Sequence, residues 1–312
     1  MRFGLQIPNF SDDETPGTLF GEVVERAAAA EDTGFDSVWV MDHFFQLPPM
    51  GGPVAPMLDS YTLLGALAAR TSRVRLGAMV TGVTYRNPAH LAKIVTTLDI
   101  ISGGRAILGI GAAWYDVEHE GLGFDFPAAG ERLDRLEEAL QICRAMFTEE
   151  APSFEGRYYR IHEARNVPPP VQPGGPPILV GGGGERRTLQ LVARYADMCN
   201  IFGDPATVAH KVDVLRGHCK AIGRDPSEIT VSRLSTLVLT ANDEETTATK
   251  EFLRQVTGEE PSGSDVGTVD QLASRVEELA AAGVDYFVFN MPTGTAETVR
   301  QVGQALVGRL SG

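Results

Sequence analysis

Apolar residues along this chain follow two recurring rhythms. Short, nearly continuous runs of β-branched, aliphatic and aromatic residues occur at 2–7, 37–41, 74–80, 105–110, 177–181, 197–202, 229–239 and 285–290. Continuous runs of this length suit parallel strands covered on both faces, whereas alternating runs would suit a half-exposed sheet. Between the runs, apolar residues recur at steps of three and four. Leu133, Leu136, Leu140, Cys143 and Phe147 are interleaved with Glu131, Arg132, Asp134, Arg135, Glu137 and Glu138, so one helical stripe is buried and the rest is solvated. Leu272, Val276, Leu279 and Gly283 repeat this before the last run. A junction phrase also repeats: Glu31-Asp-Thr-Gly-Phe-Asp-Ser-Val-Trp-Val40 is echoed by Ala280-Ala-Ala-Gly-Val-Asp-Tyr-Phe-Val-Phe289. In both, a helix stops at a C-cap glycine and a strand begins.

Eight strands alternating with helices over 312 residues predict one domain, 1–312, folded as a single (β/α)8 barrel, a fold of typically ~250 residues plus insertions. A doubly wound sheet is the alternative. Three segments exceed ordinary loop length: residues 42–57, 152–176 and 257–267. The second contains Phe154-Glu-Gly-Arg-Tyr-Tyr-Arg-Ile161, which predicts a small hairpin. All three are expected to wall the C-terminal mouth, where barrel enzymes carry their chemistry.

Composition narrows the function. With 27 Lys plus Arg against 41 Asp plus Glu, the net charge is −14, which disfavours nucleic acid as a partner. No apolar run approaches the roughly 18 residues of a membrane span, and the first ten residues resemble neither a signal nor a transit peptide. Cys143, Cys199 and Cys219 are odd in number and set among apolar residues, as buried thiols of a reducing compartment would be. The expected location is the cytoplasm, and the expected partner is a small molecule.

The strongest local signal for chemistry is Pro176-Pro-Ile-Leu-Val-Gly-Gly-Gly-Gly-Glu-Arg-Arg-Thr188. A strand runs into Gly181, Gly182, Gly183 and Gly184 and then into a helix, so unhindered N–H groups converge at a helix N-terminus suited to phosphate. Glu185 is expected to cap that helix, and Arg186 or Arg187 to add a charge-assisted bond. Gly109-Ile-Gly-Ala-Ala-Trp114 lacks the third glycine of a dinucleotide fingerprint, and no helix is expected where that motif needs one. Its glycines instead allow a flat ligand near the strand end. The second strand ends in Asp42-His43-Phe44, where an imidazole suits acid or base work. Thr81, Thr84 and Tyr85 add hydroxyls after a glycine-containing third strand. Glu118-His119-Glu120 has no zinc-enzyme spacing, and neither a serine elbow nor an activated cysteine is present.

Taken together, Phe3-Gly-Leu-Gln-Ile-Pro, Gly34 through Phe44, Thr81 through Pro88, Leu98 through Gly111 and Pro177 through Thr188 resemble the bacterial luciferase-like monooxygenase superfamily, and within it the actinobacterial branch of coenzyme F420-dependent oxidoreductases. The resemblance runs over nearly the whole chain. It implies a (β/α)8 barrel with a deazaflavin in the mouth, and a homodimer. Asp42 and His43 would lie beside the reactive ring, His43 as proton donor or acceptor. A non-prolyl cis peptide at Met79-Val80, together with Thr81, would back the ring. Gly109, Gly111 and Ala112 would pass under it, and the four glycines 181–184 with Glu185 and Arg186 would hold its phosphate. Phe44 and Trp114 would border the substrate. Segments 152–176 and 257–267 resemble the family's insertion and lid regions, and Arg157, Arg160, Arg165, Arg186 and Arg187 are candidates for a local basic patch. Sugar-phosphate dehydrogenases of the family carry a catalytic Glu where this chain has Ala113-Trp114, which argues against glucose 6-phosphate and for an apolar or aromatic substrate. Two other readings remain open: an FMN-dependent monooxygenase on the same fold, and a barrel that holds a cofactor without turnover.

Overall fold

The strands β1 (Arg2–Ile7), β2 (Ser37–Val40), β3 (Arg75–Ala78), β4 (Ala106–Gly111), β5 (Ile178–Gly181), β6 (Met198–Ile201), β7 (Thr230–Leu239) and β8 (Tyr286–Asn290) pair in sequence order, all parallel. Pairing of β8 with β1, from Arg2 opposite Tyr286 to Gln6 opposite Asn290, closes the ring into a (β/α)8 barrel. This is a computed structural model, and it describes residues 1–10, 15–257, 264–292 and 294–310. Each predicted run holds one of these strands, β4 extending one residue past its run to Gly111. Their side chains are almost wholly buried because helices cover the outside and side chains fill the lumen.

The helices are α1 (Leu19–Asp32), α2 (Ser60–Ala68), α3 (Pro88–Ser102), α4 (Asp116–Leu122), α5 (Ala129–Thr148), α6 (Thr188–Tyr195), α7 (Pro205–Ile222), α8 (Asp243–Thr257), α9 (Val269–Ala281) and α10 (Ala296–Val302). The stripe read in α5 is buried at Leu136, Leu140, Cys143 and Phe147. Gly34 and Gly283, in the repeated junction phrase, adopt φ of +91° and +107°, a left-handed turn that a Cβ would strain.

The barrel has a packed floor. Trp39 is fully buried in the lumen with Ile107, Leu179, Met198, Tyr286 and Val288. Its indole fits because the flanking strands carry glycine there: a Cβ on Gly4 would stand 2.8 Å from Trp39 Nε1, and one on Gly77 2.7 Å from Cζ3. The indole N–H donates to Ser37 Oγ at 2.5 Å, and the Tyr286 hydroxyl donates to the same oxygen. Burial pushes the Tyr286 phenol up to about 12.

Three expectations change. Segment 152–176 does form the predicted hairpin, Phe154–Glu155 against Arg160–Ile161, but it does not wall the mouth. It leaves the far end of α5 and must reach the N-terminal start of β5. Glu138 pins it to α5 by accepting the amides of Arg157, Tyr158 and Tyr159 at 2.7, 3.0 and 2.9 Å, and Asp99 accepts those of Val171 and Gln172 at 2.8 and 3.0 Å. Residues 258–263 of the third long segment lie outside the described residues, while Ser264–Gly267 is an extra strand beside β7. Third, a helix does open after Trp114, the seven-residue α4.

Candidate active site at the barrel mouth

A cavity of about 560 Å³ opens at the C-terminal ends of the strands. Of the residues singled out from sequence, Asp42, His43, Met79, Val80, Gly111, Ala112, Trp114 and the four glycines 181–184 line it. Thr81, Gly109, Phe44, Glu185 and Arg186 do not. Thr81 is fully buried and shares a hydrogen bond with Tyr61 at 2.7 Å. Gly109 serves the strands, since a Cβ there would come within 2.0 Å of the Ala78 carbonyl oxygen. Met79-Val80 is a cis peptide bond, as the resemblance implies, and Val80 packs over Gly111 and Gly181, where a Cβ would meet its methyls at 2.9 and 2.8 Å.

The chain leaving β2 supplies two differently committed polar groups. Asp42 receives both Arg86 Nη atoms, at 2.5 and 3.0 Å, and the Ser60 hydroxyl at 2.5 Å. Burial would lower the Arg86 pKa, but the Asp42 charge and hydrogen bonds raise it, so the guanidinium stays ionised. The Asp42 carboxylate is therefore saturated, and the geometry makes it an anchor of the loop, not a free acid.

His43 is arranged for proton movement. Its Nδ1 lies 2.7 Å from Glu118 Oε1, and its ring meets the edges of Trp114 and Tyr115 at centroid distances of 5.6 and 5.8 Å. Glu118, carried by α4, is fully buried. The Tyr85 hydroxyl donates to the same oxygen as His43, while the Phe44 and Phe45 amides donate to Oε2 at 2.7 and 3.3 Å. Burial opposes ionisation of Glu118, but the hydrogen bond and charge of His43, the Tyr85 hydroxyl and the Phe44 amide outweigh it, leaving the carboxyl below its usual range. Burial and the bond to Glu118 keep the Tyr85 phenol protonated. An ionised Glu118 fixes hydrogen on His43 Nδ1, and among the described residues Nε2 has no hydrogen-bond partner.

Glu118 is the residue that sequence reasoning passed over. Its signal was available: an acid just beyond the fourth strand, on the same rim as His43. Its neighbour His119 is also buried, held between Thr84 Oγ1 at 2.7 Å and the Tyr115 carbonyl at 2.6 Å.

The opposite wall is made of backbone. Gly182 has φ of +117°, and its amide donates to the Asn200 carbonyl at 3.1 Å. The Gly183 and Gly184 amides make no hydrogen bond among the described residues and precede α6. A Cβ on Gly184 would lie 2.9 Å from Thr188 Oγ1. Lys211 Nζ donates to the Gly183 carbonyl at 2.7 Å, so α7 brings a cation against the loop. Glu185 does not cap α6; it pairs with His210 at 3.1 Å, and Arg187 pairs with Asp134 at 2.5 Å. Arg157, Arg160 and Arg165 lie on the 152–176 insert away from the cavity, Arg160 and Arg165 being paired with Glu155 and Glu150. At the bottom of the cavity the side-chain oxygens of Gln6 and Asn290 are buried without a partner.

Cys143, Cys199 and Cys219 are free and buried, and burial pushes the Cys143 and Cys199 thiols up to about 12. Among the described residues no cluster of three metal-ligating side chains exists, and no helix is long and apolar enough to cross a membrane.

The site is thus a glycine-lined cavity facing a histidine–carboxylate pair at the mouth of a parallel barrel. The family model for luciferase-like monooxygenases matches residues 1–265, and this chain belongs to that family. The F420-dependent glucose-6-phosphate dehydrogenase of Kineococcus radiotolerans is 40% identical over 154 residues, 49% of this chain and 44% of that protein. The phthiodiolone/phenolphthiodiolone dimycocerosates ketoreductase of Mycobacterium bovis BCG is 33% identical over 262 residues, 78% of this chain and 66% of that protein. This chain thus spans about half to two thirds of these curated relatives. The solved coenzyme F420-dependent tetrahydromethanopterin reductase of Methanopyrus kandleri shares the fold, with a TM-score of 0.80 at 20% identity over 99% of each chain.

Proposed function

We propose that this protein is a coenzyme F420-dependent oxidoreductase that moves a hydride between the deazaflavin and a small organic substrate, with His43 as the acid/base group. The observation that carries this is an imidazole whose Nδ1 is committed to a buried carboxylate and whose Nε2 is unpartnered, in a cavity shared with a glycine cradle. The relatives named as F420-dependent support the choice of cofactor.

The residues present fit such a group. The Gly183 and Gly184 amides and Thr188, with Lys211 behind them, would hold its phosphate. The orphaned oxygens of Gln6 and Asn290 would accept N–H donors of its ring system. When bound, the deazaflavin supplies a two-electron hydride donor or acceptor. The chain does the rest: Asp42 and Arg86 fix the loop after β2, Glu118 holds the His43 ring in one orientation through Nδ1, and Nε2 gives or takes the proton. Tyr115, buried and edge-on to the imidazole, limits water around the ring.

The family's monooxygenases favour a second reading, in which FMN occupies the same cavity. A side-by-side titration of the protein with F420 and FMN, followed by absorbance or fluorescence, tests the choice. Tighter F420 binding is expected. Preference for FMN sinks the cofactor assignment and makes oxygen consumption the next measurement.

A further inference from the structure

We propose that the substrate is an uncharged, flat, aromatic or conjugated ketone, and that the site rejects phosphorylated sugars. This rests on the F420 reading above and goes beyond it in naming the substrate class.

The argument starts from charge. Among the described residues, no Lys or Arg side chain lines the cavity. Its ionisable groups are Asp42, His43 and Tyr85, and each is already engaged: Asp42 by Arg86, the other two by Glu118. A phosphate ester placed beside His43 would lose its water with no Lys or Arg in the cavity to replace it. The backbone cradle lies at the other wall, where it serves the cofactor. The protein's charge of −14 also offers an anion no long-range attraction.

The walls supply the second half. Leu47, Met50, Phe202 and Trp114 give the mouth an apolar rim. Trp114 is 62% exposed and Phe202 48%, unusual for large apolar side chains unless something covers them. Trp114 stands edge-on to His43 at 5.6 Å. A flat ligand resting on the indole therefore presents its polar end to Nε2. For a ketone the chemistry balances: the C=O π bond breaks, the carbon gains hydride from the reduced deazaflavin, and the oxygen gains the His43 Nε2 proton. The products are an alcohol, oxidised deazaflavin and neutral His43.

The test uses the intact protein with acetophenone and glucose 6-phosphate as probes. With F420 bound, acetophenone should oxidise the reduced cofactor, and glucose 6-phosphate should not reduce the oxidised one. Trp114→Ala should raise the acetophenone KM about tenfold with kcat nearly unchanged, and Trp114→Phe should restore much of it. Turnover of glucose 6-phosphate at lower KM than acetophenone overturns the substrate class while leaving the cofactor reading intact. If F420 does not bind, that reading fails, and tryptophan fluorescence decides the substrate class separately. Trp39, the other tryptophan, is buried, so a ligand at the mouth reports through Trp114. Saturable quenching by acetophenone, lost in Trp114→Ala and not produced by glucose 6-phosphate, supports the class; quenching by the sugar phosphate alone overturns it.

Discussion

The two walls of the cavity are built by opposite means. The wall after β5 works by leaving side chains out, so that two amides beside a helix start have no hydrogen-bond partner among the described residues. The wall formed by β2, β3 and β4 works by crowding side chains in: one buried carboxylate takes donors from His43, Tyr85, Phe44 and Phe45. The first has no titrating group of its own and offers partial charges fixed by backbone geometry. The second depends on the ionisation of a single group. Binding and proton chemistry should therefore fail separately.

The largest expected effect breaks the side-chain wall at its tip. His43→Ala should lower kcat by roughly 10²–10⁴ while F420 affinity, measured by titration, changes little; an unchanged rate removes His43 from the chemistry. Next is its support. Glu118→Gln keeps the shape but removes the charge, costing about 1.5–3 kcal/mol for a charged hydrogen bond, hence roughly ten- to a hundredfold in kcat. It should also move the pH–rate profile, which simple loosening of the fold would not do.

The same variant carries a stability prediction. The Glu118 pKa is lower folded than unfolded, so its contribution is complete above the ordinary carboxyl value and is lost as pH falls through the depressed one. Urea midpoints followed from roughly pH 6 to roughly pH 3 should fall more steeply in the wild type than in Glu118→Gln, and parallel curves would count against an ionised Glu118. The smallest effect belongs to the backbone wall. Gly182→Ala places a Cβ at φ +117°, and about 1 kcal/mol of loop strain should weaken F420 binding about fivefold with kcat preserved. Loss of kcat instead would show the two walls to be coupled.

The walls also differ in how far sequence betrays them. The glycine cradle is a string of neighbours, so strand, turn and helix start can be read in order, and the barrel follows from repeated junctions such as those at Gly34 and Gly283. Glu118 and His43 are 75 positions apart, and seven-residue α4 is too short to announce itself by periodicity. Lys211 was likewise invisible, because it reaches the cradle from α7, the helix of the next strand–helix unit, 28 positions along the chain. The insert at 152–176 was misplaced for a simpler reason: length marks a segment as unusual, but only its position after a helix, not after a strand, says which rim it must return to. Asp42 is legible as a rim residue beside His43, yet its saturation by Arg86 and Ser60 needs three separate segments brought together in space.

Trp39, seated on Gly4 and Gly77, turns the barrel into a vessel with a bottom. Because the lumen at Trp39 is filled, the mouth is the way in and out of the cavity. Any ligand that reaches Gln6 and Asn290 therefore passes the rim bordered by Trp114 and Phe202.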